Sequence, residues 1–590
     1  MLHPVFFREG LKMLIGYDFE VYKYNWLVVF IDPFERTVTK IWDDPFILKQ
    51  FYENRKDYIF VGYNNRFYDQ YIFKGILCGF DPYEINTWII KKGLPGYKFS
   101  DLFRKINMIN YDTQPDRDKS LKQLEAFQGH NIYETSVDFN HDAPLTDAEK
   151  RETEKYCIND VMETLKVFSE TKDDFDAQLA LIKMFDLPLT ALSKTKAQIV
   201  ADDILECTRC NRNDTWELYT LPCLQLEKYQ FCKSWFFDKN NQWYEKHGKE
   251  NPGFIAEIAG VPHSLGFGGI HGARSKYNYI CKDGYMLIHV DVESYYPSLM
   301  VEYDLITRNA RKPERFNEVK EKRLALKRAG KKKEQAPLKI VINGTYGISN
   351  DSKSSAYDPR NANLITMNGQ LLLIDLIEKL EVIHSFELIQ SNTDGLIIKI
   401  HNRDFELVDD ICYEWETRTK MKLAFDTIDI IYQGDVNNYM FRFAETGKWE
   451  RKGAYVKELS TLDYDVPIVN KAIVDYLTTG ITPTETINNC DDLMQFQKVV
   501  KLSGKYTDVE YNGKLMKQKC YRVFASNNWW DKTLYRVKEN GRKDKFLDIS
   551  EHCFIDNGDV RNKPLPDKLN KNYYINLAET RLFNKFGIRV

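Results

Sequence analysis

A β-hairpin with an acidic residue in its turn gives the clearest structural signal in the sequence. Residues 386–400 read FELIQS-NTDG-LIIKI, in which two apolar runs flank a turn rich in Asn, Asp and Gly. Another run, YMLIHVDV at 285–292, predicts a strand that carries Asp291 at its end. Asp291 and Asp394, at a strand end and in a hairpin turn, can hold divalent cations between them because such ions prefer oxygen ligands.

Composition places the chain among globular proteins of several domains. Its 590 residues allow about four domains, and 43% hydrophobic with 29% charged residues exclude a disordered or fibrous chain. No run of 18 apolar residues occurs, and Arg8, Glu9 and Lys12 interrupt any signal peptide. Eleven cysteines are too few for a disulfide scaffold, so we expect a cytoplasmic protein that is not secreted and has no membrane span.

A second group of acids lies near the N-terminus. Asp18 and Glu20 are two apart on a predicted strand within 14–31 and share a face, although two anions side by side repel. Asp69 follows another predicted strand at 58–63. Tyr156 and Asp160 are four apart on a helix predicted at 146–170. Four acids from strand, loop and helix suit two Mg²⁺ or Mn²⁺ ions about 3.5–4 Å apart, which activate water against a phosphodiester.

The order strand-DxE, N-x-x-(F/Y)-D and Y-x-x-x-D resembles the three motifs of the DEDDy 3′–5′ exonucleases that precede family B DNA polymerases. The resemblance implies that four acids bind metal: Asp18, Glu20, Asp69 and Asp160. It further implies that Tyr156 orients the attacking water, while Asn65 and Tyr68 hold the single-stranded 3′ end.

Three further motifs follow in the order of the same family. DVESYYPS at 291–298 resembles motif A, with Tyr295 in place of Leu; the segment 339–347 (KIVINGTYG) resembles motif B; and the turn NTDG at 392–395 resembles motif C. We identify a family B DNA polymerase of the compact bacteriophage kind, with 3′–5′ proofreading. The resemblance implies two Mg²⁺ (or Mn²⁺) ions per active site, held in the polymerase by Asp291, Asp394 and the carbonyl of Val292.

The nucleotide would be bound by basic and aromatic side chains of the region between motifs A and C. Residues 306–333 carry twelve Lys/Arg against three Glu, a run that on its own indicates a solvated helix face. Helices are predicted at 315–329 and 337–349, and beyond about residue 450 at 467–478 and 491–501. The resemblance assigns Tyr296 to exclusion of the ribose 2′-hydroxyl, and it assigns triphosphate or base-pair contacts to five residues: Arg323, Lys327, Lys339, Asn343 and Tyr346.

The match departs from the family pattern at several places. Motif C has Asn392 and Gly395 where the family has Asp and Ser, which predicts modestly weaker metal affinity. The element that grips the primer end keeps Tyr439 but lacks its lysine, which Lys452 can replace. Gly268 and Gly269 match a glycine motif that touches template, or an ordinary turn.

Four cysteines allow a zinc site, but their spacing favours unligated thiols: Cys207, Cys210, Cys223 and Cys232.

The expected architecture is an RNase H-like 3′–5′ exonuclease domain (1–175) followed by a right-hand polymerase. Residues 176–283 form a connecting region and the start of the palm, 284–306 and 348–450 the palm, 307–347 the fingers and 451–590 the thumb. The short intervals between motifs leave no room for the insertions of protein-primed relatives. We therefore expect a monomer that extends a primed DNA template with dNTPs, beside a phage helicase, primase and single-strand-binding protein in the host cytoplasm.

Two other functions fit parts of the pattern. The chain could be an exonuclease whose inactive polymerase half serves as a DNA-binding platform, or a non-catalytic nucleic-acid-binding scaffold. The polymerase motif residues argue against the first, and the complete set of N-terminal acids argues against the second.

Overall fold

The computed structural model describes residues 13–115, 118–246 and 254–590, and the chain forms two compact units. The first unit comprises Met1–Thr195, Leu459–Ile468 and Ile487–Tyr574, and the second comprises Lys196–Glu458, Val469–Thr486 and Ile575–Val590. The charged N-terminal residues that argue against a signal peptide lie outside the described residues. Within the described ranges, no helix is both long enough and apolar enough to cross a membrane. The molecule is thus a mixed α/β protein with several sheets.

The N-terminal part of the first unit is a mixed sheet covered by helices. Its strands are β1 (Leu14–Val21), β2 (Trp26–Asp32), β3 (Thr37–Trp42), β4 (Ile59–Gly62) and β5 (Ile109–Asp112). They lie in the order β3-β2-β1-β4-β5, with β1 to β3 antiparallel and β4 and β5 parallel to β1. The helices are α1 (Pro45–Glu53), α2 (Asp69–Leu77), α3 (Pro82–Asn86), α4 (Leu121–Phe127), α5 (Asp147–Glu170) and α6 (Lys172–Met184).

The predicted helix at 146–170 is confirmed as α5, and its start has a local cause. The Glu149 backbone N–H donates to the Thr146 hydroxyl, and the Glu149 carboxylate accepts from the Thr146 N–H, which forms a capping box. Stacked and edge-on rings from β1, β2 and α2, including Tyr17, Phe30 and Phe73, fill the core on one face of the sheet. This packing fixes β1, which carries the first two acids.

The second unit is built on one extended sheet. Its strands are β6 (Phe254–Ile258), β7 (Val261–Leu265), β8 (His271–Ala273), β9 (Tyr277–Ile280), β10 (Tyr285–Val292), β11 (Glu387–Asn392), β12 (Gly395–His401), β13 (Leu423–Asp435), β14 (Asn438–Phe443) and β15 (Trp449–Lys452). The order is β15-β14-β13-β10-β12-β11-β8-β7-β6, and β9 pairs with β13. The predicted strand at 285–292 and the predicted hairpin are both confirmed, and they are neighbours at the centre of this sheet.

Helices surround the sheet of the second unit. They are α7 (Lys196–Gln198), α8 (Gln230–Phe237), α9 (Lys239–Lys246), α10 (Tyr295–Glu302), α11 (Glu314–Arg328), α12 (Lys332–Asn350), α13 (Pro359–Leu380) and α14 (Phe405–Thr419). The predicted restart of the helix beside Pro337 is wrong, because α12 begins at Lys332 and contains Pro337. Pro337 is the sixth residue of α12, where it has no backbone N–H to donate to the carbonyl four residues earlier.

The C-terminal part of the chain contains α15 (Pro467–Thr479), α16 (Pro483–Asn488), β16 (Lys498–Lys501), β17 (Asp508–Tyr511), β18 (Lys514–Met516), β19 (Cys520–Ala525), β20 (Tyr535–Val537), β21 (Lys543–Lys545), β22 (Cys553–Ile555) and α17 (Lys571–Arg581). Its strands form two sheets in the first unit, β16-β19-β22 and β18-β17-β20-β21. The helix predicted at 467–478 is confirmed, but the helix predicted at 491–501 is wrong. That segment ends in β16, where the β-branched Val499 and Val500 suit a strand paired with β19.

Candidate functional site

The four acids predicted to bind metal in the first unit line one cleft of about 650 Å³. Asp18 and Glu20 come from β1, Asp69 begins α2, and Asp160 lies on α5. Glu20, Asp69 and Asp160 are buried and Asp18 is half-buried. The structure therefore brings together side chains that are up to 142 residues apart (160 − 18).

The carboxylates of this cleft are buried and repel one another. Burial, and then the charge of Asp69, raise the pKa of Asp18 well above its usual range. Burial, and then Asp160, do the same to the pKa of Glu20. Burial raises the pKa of Asp69 to about 7, although the Phe19 backbone N–H donates to this carboxylate at 3.1 Å. Buried carboxylates that repel one another are stabilised by a hard divalent cation, so the donor set fits Mg²⁺ or Mn²⁺.

Lys122 on α4 is a member of the cleft that no sequence motif reveals. Its ammonium contacts the carboxylate of Asp160, donates to Glu125 at 2.9 Å and lies 4.7 Å from the centre of the Tyr156 ring. Burial lowers the pKa of Lys122, but the charges of Asp160 and Glu125 outweigh burial and raise it overall. The lysine is thus a fixed positive charge beside the acids.

The residues predicted to hold the 3′ end differ in position. Tyr68 lines the cleft, and its hydroxyl donates to Asn86 at 2.9 Å. Asn65 does not line the cleft, because it is fully buried and its amide donates to the side chain of Asn110 at 2.9 Å and to the backbone of Tyr111 at 3.1 Å. In this structure the Asn65 side chain fixes the loop before Asp69, and its contact with a 3′ end stays a prediction.

Tyr156, the residue predicted to orient water, is half-buried and lines the same cleft. Its hydroxyl hydrogen-bonds to Asp160 one turn further along α5, and this bond opposes the rise that burial causes in the pKa of Asp160. The Tyr156 hydroxyl therefore lies beside the acids of the cleft.

The acids of the polymerase motifs line a separate cleft of about 270 Å³ in the second unit. Asp291 is directly opposite Gly395 in the antiparallel register of β10 and β12. The Val292 backbone N–H donates to the Asp394 carbonyl at 2.7 Å, which closes the chain around the hairpin turn. The structure thus brings Asp291 and Asp394 together at the ends of neighbouring strands.

The charge of this second cleft is balanced by lysines. Burial, and then Asp394, raise the pKa of Asp291 to about 6, while Lys327 and Lys452 oppose the increase. Lys452 is paired with Tyr439 across β14 and β15, its ammonium lies 6.0 Å from that ring, and both residues line the cleft. Two neighbouring strands thus bring together Lys452 and Tyr439, the residues predicted to contact the primer end.

His289 and Asp426 are further members of the second cleft that the sequence motifs do not include. Burial lowers the pKa of His289, and its Nδ1 atom lies 4.0 Å from the Asp426 carboxylate without a hydrogen-bond partner among the described residues. His289 lies two residues before Asp291 on β10, so its side chain shares a face of the strand with it, a relationship that strand alternation alone could have indicated.

The tyrosine predicted to exclude ribonucleotides packs between two elements. The Tyr296 ring is edge-on to Tyr346 of motif B, with ring centres 5.0 Å apart. Gly369 of α13 lies beneath it, and a Cβ atom there would be 3.1 Å from the Tyr296 ring. Tyr295, which replaces the leucine of the family pattern, is buried and donates to the Gly369 carbonyl at 2.6 Å.

The predicted triphosphate-binding residues lie on α11 and α12. Arg323 donates to the Ser294 hydroxyl at 2.9 Å, and Lys327 lies 3.4 Å from the Glu293 carboxylate, so both contact the motif A segment. The Arg323 Nε atom is buried and has no hydrogen-bond partner in the described structure. Lys339 and Asn343 are exposed on α12 and do not line the acidic cleft in this conformation.

Of the two predicted template-contact glycines, Gly269 lies against the motif C turn and Gly268 contacts α13. Gln370 donates to the Gly268 carbonyl at 3.0 Å, and a side chain at Gly269 would collide with the Thr393 hydroxyl. Asn392 lines the second cleft, and its side-chain oxygen accepts from the Thr393 backbone N–H at 2.9 Å. The glycine segment thus supports the turn that carries Asp394.

The sequence and the fold were compared with known proteins, and the likeness to a solved structure is distant. No family model and no curated protein match the sequence. Among solved structures, the chain is similar to the family B DNA polymerase from the hyperthermophilic archaeon Pyrobaculum calidifontis. The identity is 14%, the TM-score is 0.39, and the alignment covers 98% of this chain and 78% of the archaeal chain. The assignment of a function therefore rests on the residues of the two clefts.

The four cysteines considered for zinc do not form a metal site within the described ranges. The group of potential ligand atoms that the structure brings within 4.8 Å of one another consists of Asp18, Glu20 and Cys157 in the first cleft. Cys223 instead pairs with the Tyr303 hydroxyl at 2.9 Å, and Cys232 is buried. The interpretation of the four cysteines as unligated thiols stays a prediction.

Proposed function

We propose that the chain is a template-directed DNA polymerase of family B with a 3′–5′ proofreading exonuclease. The observation that carries the proposal is the pair of separate carboxylate clusters, each in its own cleft and in its own unit. One set of acids serves hydrolysis of a 3′-terminal nucleotide, and the other serves transfer of a deoxynucleotide to a primer 3′-hydroxyl. The use of carboxylates in both agrees with chemistry that needs positioning and cations.

In the polymerase cleft, Asp291, Asp394 and the carbonyl of Val292 would hold two Mg²⁺ or Mn²⁺ ions. These ions supply activation of the primer hydroxyl and charge neutralisation on the triphosphate. Lys452 and Tyr439 bind the primer end from β15 and β14, and Tyr296 occupies the space that a 2′-hydroxyl needs. Arg323 and Lys327 would exchange their contacts with motif A for the triphosphate, which is more highly charged than the Ser294 hydroxyl.

Five further residues of the proposed polymerase site do not line the acidic cleft. Lys339, Asn343 and Tyr346 occupy one face of α12 at helical spacing, a face suited to an incoming dNTP. Gly268 and Gly269 let the backbone approach the template next to the motif C turn.

In the exonuclease cleft, four acids would hold the second pair of ions: Asp18, Glu20, Asp69 and Asp160. Tyr156, hydrogen-bonded to Asp160, orients the nucleophilic water, and Tyr68 contacts the terminal nucleotide. Lys122 holds Asp160 in place before the ions bind. The positions of these seven side chains, on β1, at the start of α2, and on α4 and α5, support one hydrolytic site.

The proposal extends to architecture and partners. We assign the sheet β3-β2-β1-β4-β5 to an RNase H-like exonuclease domain, the sheet around β10 and β12 to the palm, α11 and α12 to the fingers, and the C-terminal strands to the thumb. Between motifs A and B the structure contains α10 and α11, and between B and C it contains α13 and β11. A monomer that extends an ordinary primer, as in bacteriophages, and works with a helicase, a primase and a single-strand-binding protein is consistent with these short intervals.

A primer-extension assay tests the proposal. A 5′-labelled primer annealed to a longer template is incubated with the protein and Mg²⁺, with and without dNTPs, and resolved on a gel. We expect extension with dNTPs and shortening without them. Shortening under both conditions would instead identify an exonuclease with an inactive polymerase half, and a mobility shift without any change in primer length would identify a scaffold.

A further inference from the structure

The exonuclease cleft has a wall supplied by the C-terminal part of the chain. Besides the acids, its lining includes three lysines, of which Lys119 and Lys122 precede α5 and Lys501 ends β16. All three belong to the first unit. A strand that follows the polymerase motifs by about a hundred residues (501 − 394 = 107) therefore contributes to the nuclease cleft.

The three lysines differ in their existing partners. Lys122 is engaged by Asp160 and Glu125. Lys119 donates to the Leu462 carbonyl at 3.1 Å and lies 3.6 Å from the Asp463 carboxylate. Lys501 is exposed, and among the described residues its ammonium has no ion pair or hydrogen bond. Its charge is consequently available to a ligand in the cleft.

The strand that carries Lys501 is fixed to the nuclease half by buried contacts. Val499, on the same face of β16, packs in a cluster with Leu124 and Phe127 from α4. The neighbouring strand β19 carries Arg522, which is fully buried and donates to the carbonyls of Ala126 at 2.9 Å and His130 at 2.8 Å. The backbone of Lys501 is therefore held in place relative to α4 and the acids.

A single DNA strand bound in this cleft would need a positive charge at this wall, because the acids of the cleft repel its phosphates. A single DNA strand carries one negative charge per phosphate, and the floor of the cleft presents four carboxylates that repel it. Metal ions offset the acids at the scissile phosphate, but the next phosphates along the strand need positive charge from the protein. A lysine with a flexible stem and an unpaired ammonium suits such a phosphate.

We propose that Lys501 binds a phosphate of the single strand whose 3′ end lies among the acids, so that the C-terminal strands form part of the exonuclease substrate site. This inference rests on the proposed exonuclease. It specifies the substrate as a strand with at least one phosphate beyond the scissile one. A nucleotide ester that contains the scissile phosphate alone makes no use of Lys501.

The test compares two substrates and four proteins: wild type, Lys501→Ala, Lys501→Arg and the matched control Lys505→Ala, an exposed lysine that does not line the cleft. The substrates are a single-stranded oligodeoxynucleotide and the p-nitrophenyl ester of thymidine 5′-monophosphate. In Lys501→Ala we expect the KM for the oligonucleotide to rise about three- to fivefold relative to that for the ester, the size of an exposed ion pair. The dependence of log KM on log salt should weaken by about 0.7.

Lys501→Arg should restore both quantities, and Lys505→Ala should keep the wild-type values. An unchanged KM ratio and salt dependence in Lys501→Ala would overturn the proposal. A second experiment tests binding at Lys501 independently of cleavage. Lysine amines are acetylated in Ca²⁺ with and without the oligonucleotide, and the acetylated positions are identified by mass spectrometry. If the oligonucleotide protects Lys501 but not Lys505 from acetylation, the Lys501 proposal is supported. This holds even if the wild type cleaves neither substrate, a result that would refute only the exonuclease. Equal acetylation of Lys501 with and without the oligonucleotide would overturn the Lys501 proposal.

Discussion

Gly395 lies opposite Asp291 in the central β-ladder, so close that a Cβ atom at Gly395 would be 2.9 Å from the Val290 carbonyl and 3.3 Å from the Asp291 carboxylate. This contact explains why motif C ends in glycine here although the family pattern has serine. A side chain at this position would displace the backbone that carries Asp291. The two strands that lead to Asp291 and from Asp394 are thus fitted to each other by the absence of one side chain.

We therefore expect Gly395→Ser to impair the protein although it restores the family residue. Overpacking against backbone should lower the free energy of unfolding by about 1–3 kcal/mol and reduce primer extension. Thermal denaturation and the extension rate measure the two effects. Gly395→Ala is the matched variant and should show the same two effects as Gly395→Ser, because it adds the same Cβ atom. Full activity in Gly395→Ser would contradict this explanation.

Asn392→Asp should strengthen the binding of divalent cations in the polymerase cleft. Asn392 lines that cleft with Asp291 and Asp394, and a carboxylate there adds negative charge while it still accepts from the Thr393 N–H. We expect the Mg²⁺ concentration for half-maximal extension to fall about fivefold, equivalent to about 1 kcal/mol. Asn392→Ala should raise it. An identical Mg²⁺ titration in all three proteins would exclude a role for this position in cation binding.

Tyr296→Ala should admit ribonucleotides. Loss of the ring that packs on Tyr346 leaves room for a 2′-hydroxyl, so discrimination between dNTPs and rNTPs should fall at least about tenfold, or about 1.4 kcal/mol. Single-nucleotide insertion kinetics with dCTP and CTP measure the ratio. Tyr295→Phe is the control, since it removes the hydroxyl bonded to Gly369 and keeps the buried ring. Unchanged discrimination in Tyr296→Ala would assign Tyr296 to the core.

Local sequence predicts the elements that carry the acids. The apolar runs and turn of β11 and β12, the strand β10 and the capping box of α5 depend on residues close together in the chain. Periodicity and turn chemistry predict these elements and which of their side chains share a face. The assembly of the acids into two clusters is predicted from the order of the motifs, which resembles that of family B DNA polymerases.

Other parts depend on contacts between distant residues and could not be predicted. The sequence predicts a helix where β16 lies, because this strand forms by pairing with the distant strand β19. Arg522 of β19 is in turn held by the Ala126 carbonyl. Asn65 is buried by a hydrogen bond to Asn110, 45 residues away. Lys122 and Lys501 reach the first cleft for similar reasons, and neither belongs to a recognisable motif.

The second unit should lose stability in acid through His263. This buried histidine hydrogen-bonds to the Val261 carbonyl and to the Ser391 hydroxyl next to motif C, and burial lowers its pKa to about 4. In the unfolded chain the His263 imidazole takes up a proton below about pH 6.5, whereas in the folded protein it stays neutral down to about pH 4. Stability is therefore complete above pH 6.5 and falls as the pH decreases toward 4, by up to about 3 kcal/mol.

Thermal melts between pH 7 and pH 4 check the His263 prediction. His263→Gln should show a shallower loss of Tm over this interval, and the exposed His384→Gln should follow the wild type. A pH dependence in His263→Gln as steep as in the wild type would show that other groups cause the acid sensitivity.

The central claim is that two independent carboxylate sites perform opposite reactions on one primer. The most direct measurement is a gel assay of a 5′-labelled primer–template with Asp291→Asn and with the double variant Asp18→Ala, Glu20→Ala, each verified as folded by circular dichroism. We predict that Asp291→Asn abolishes extension and still shortens the primer, whereas the double variant extends it and no longer shortens it. Loss of extension in the folded double variant, or loss of shortening in Asp291→Asn, would contradict the account.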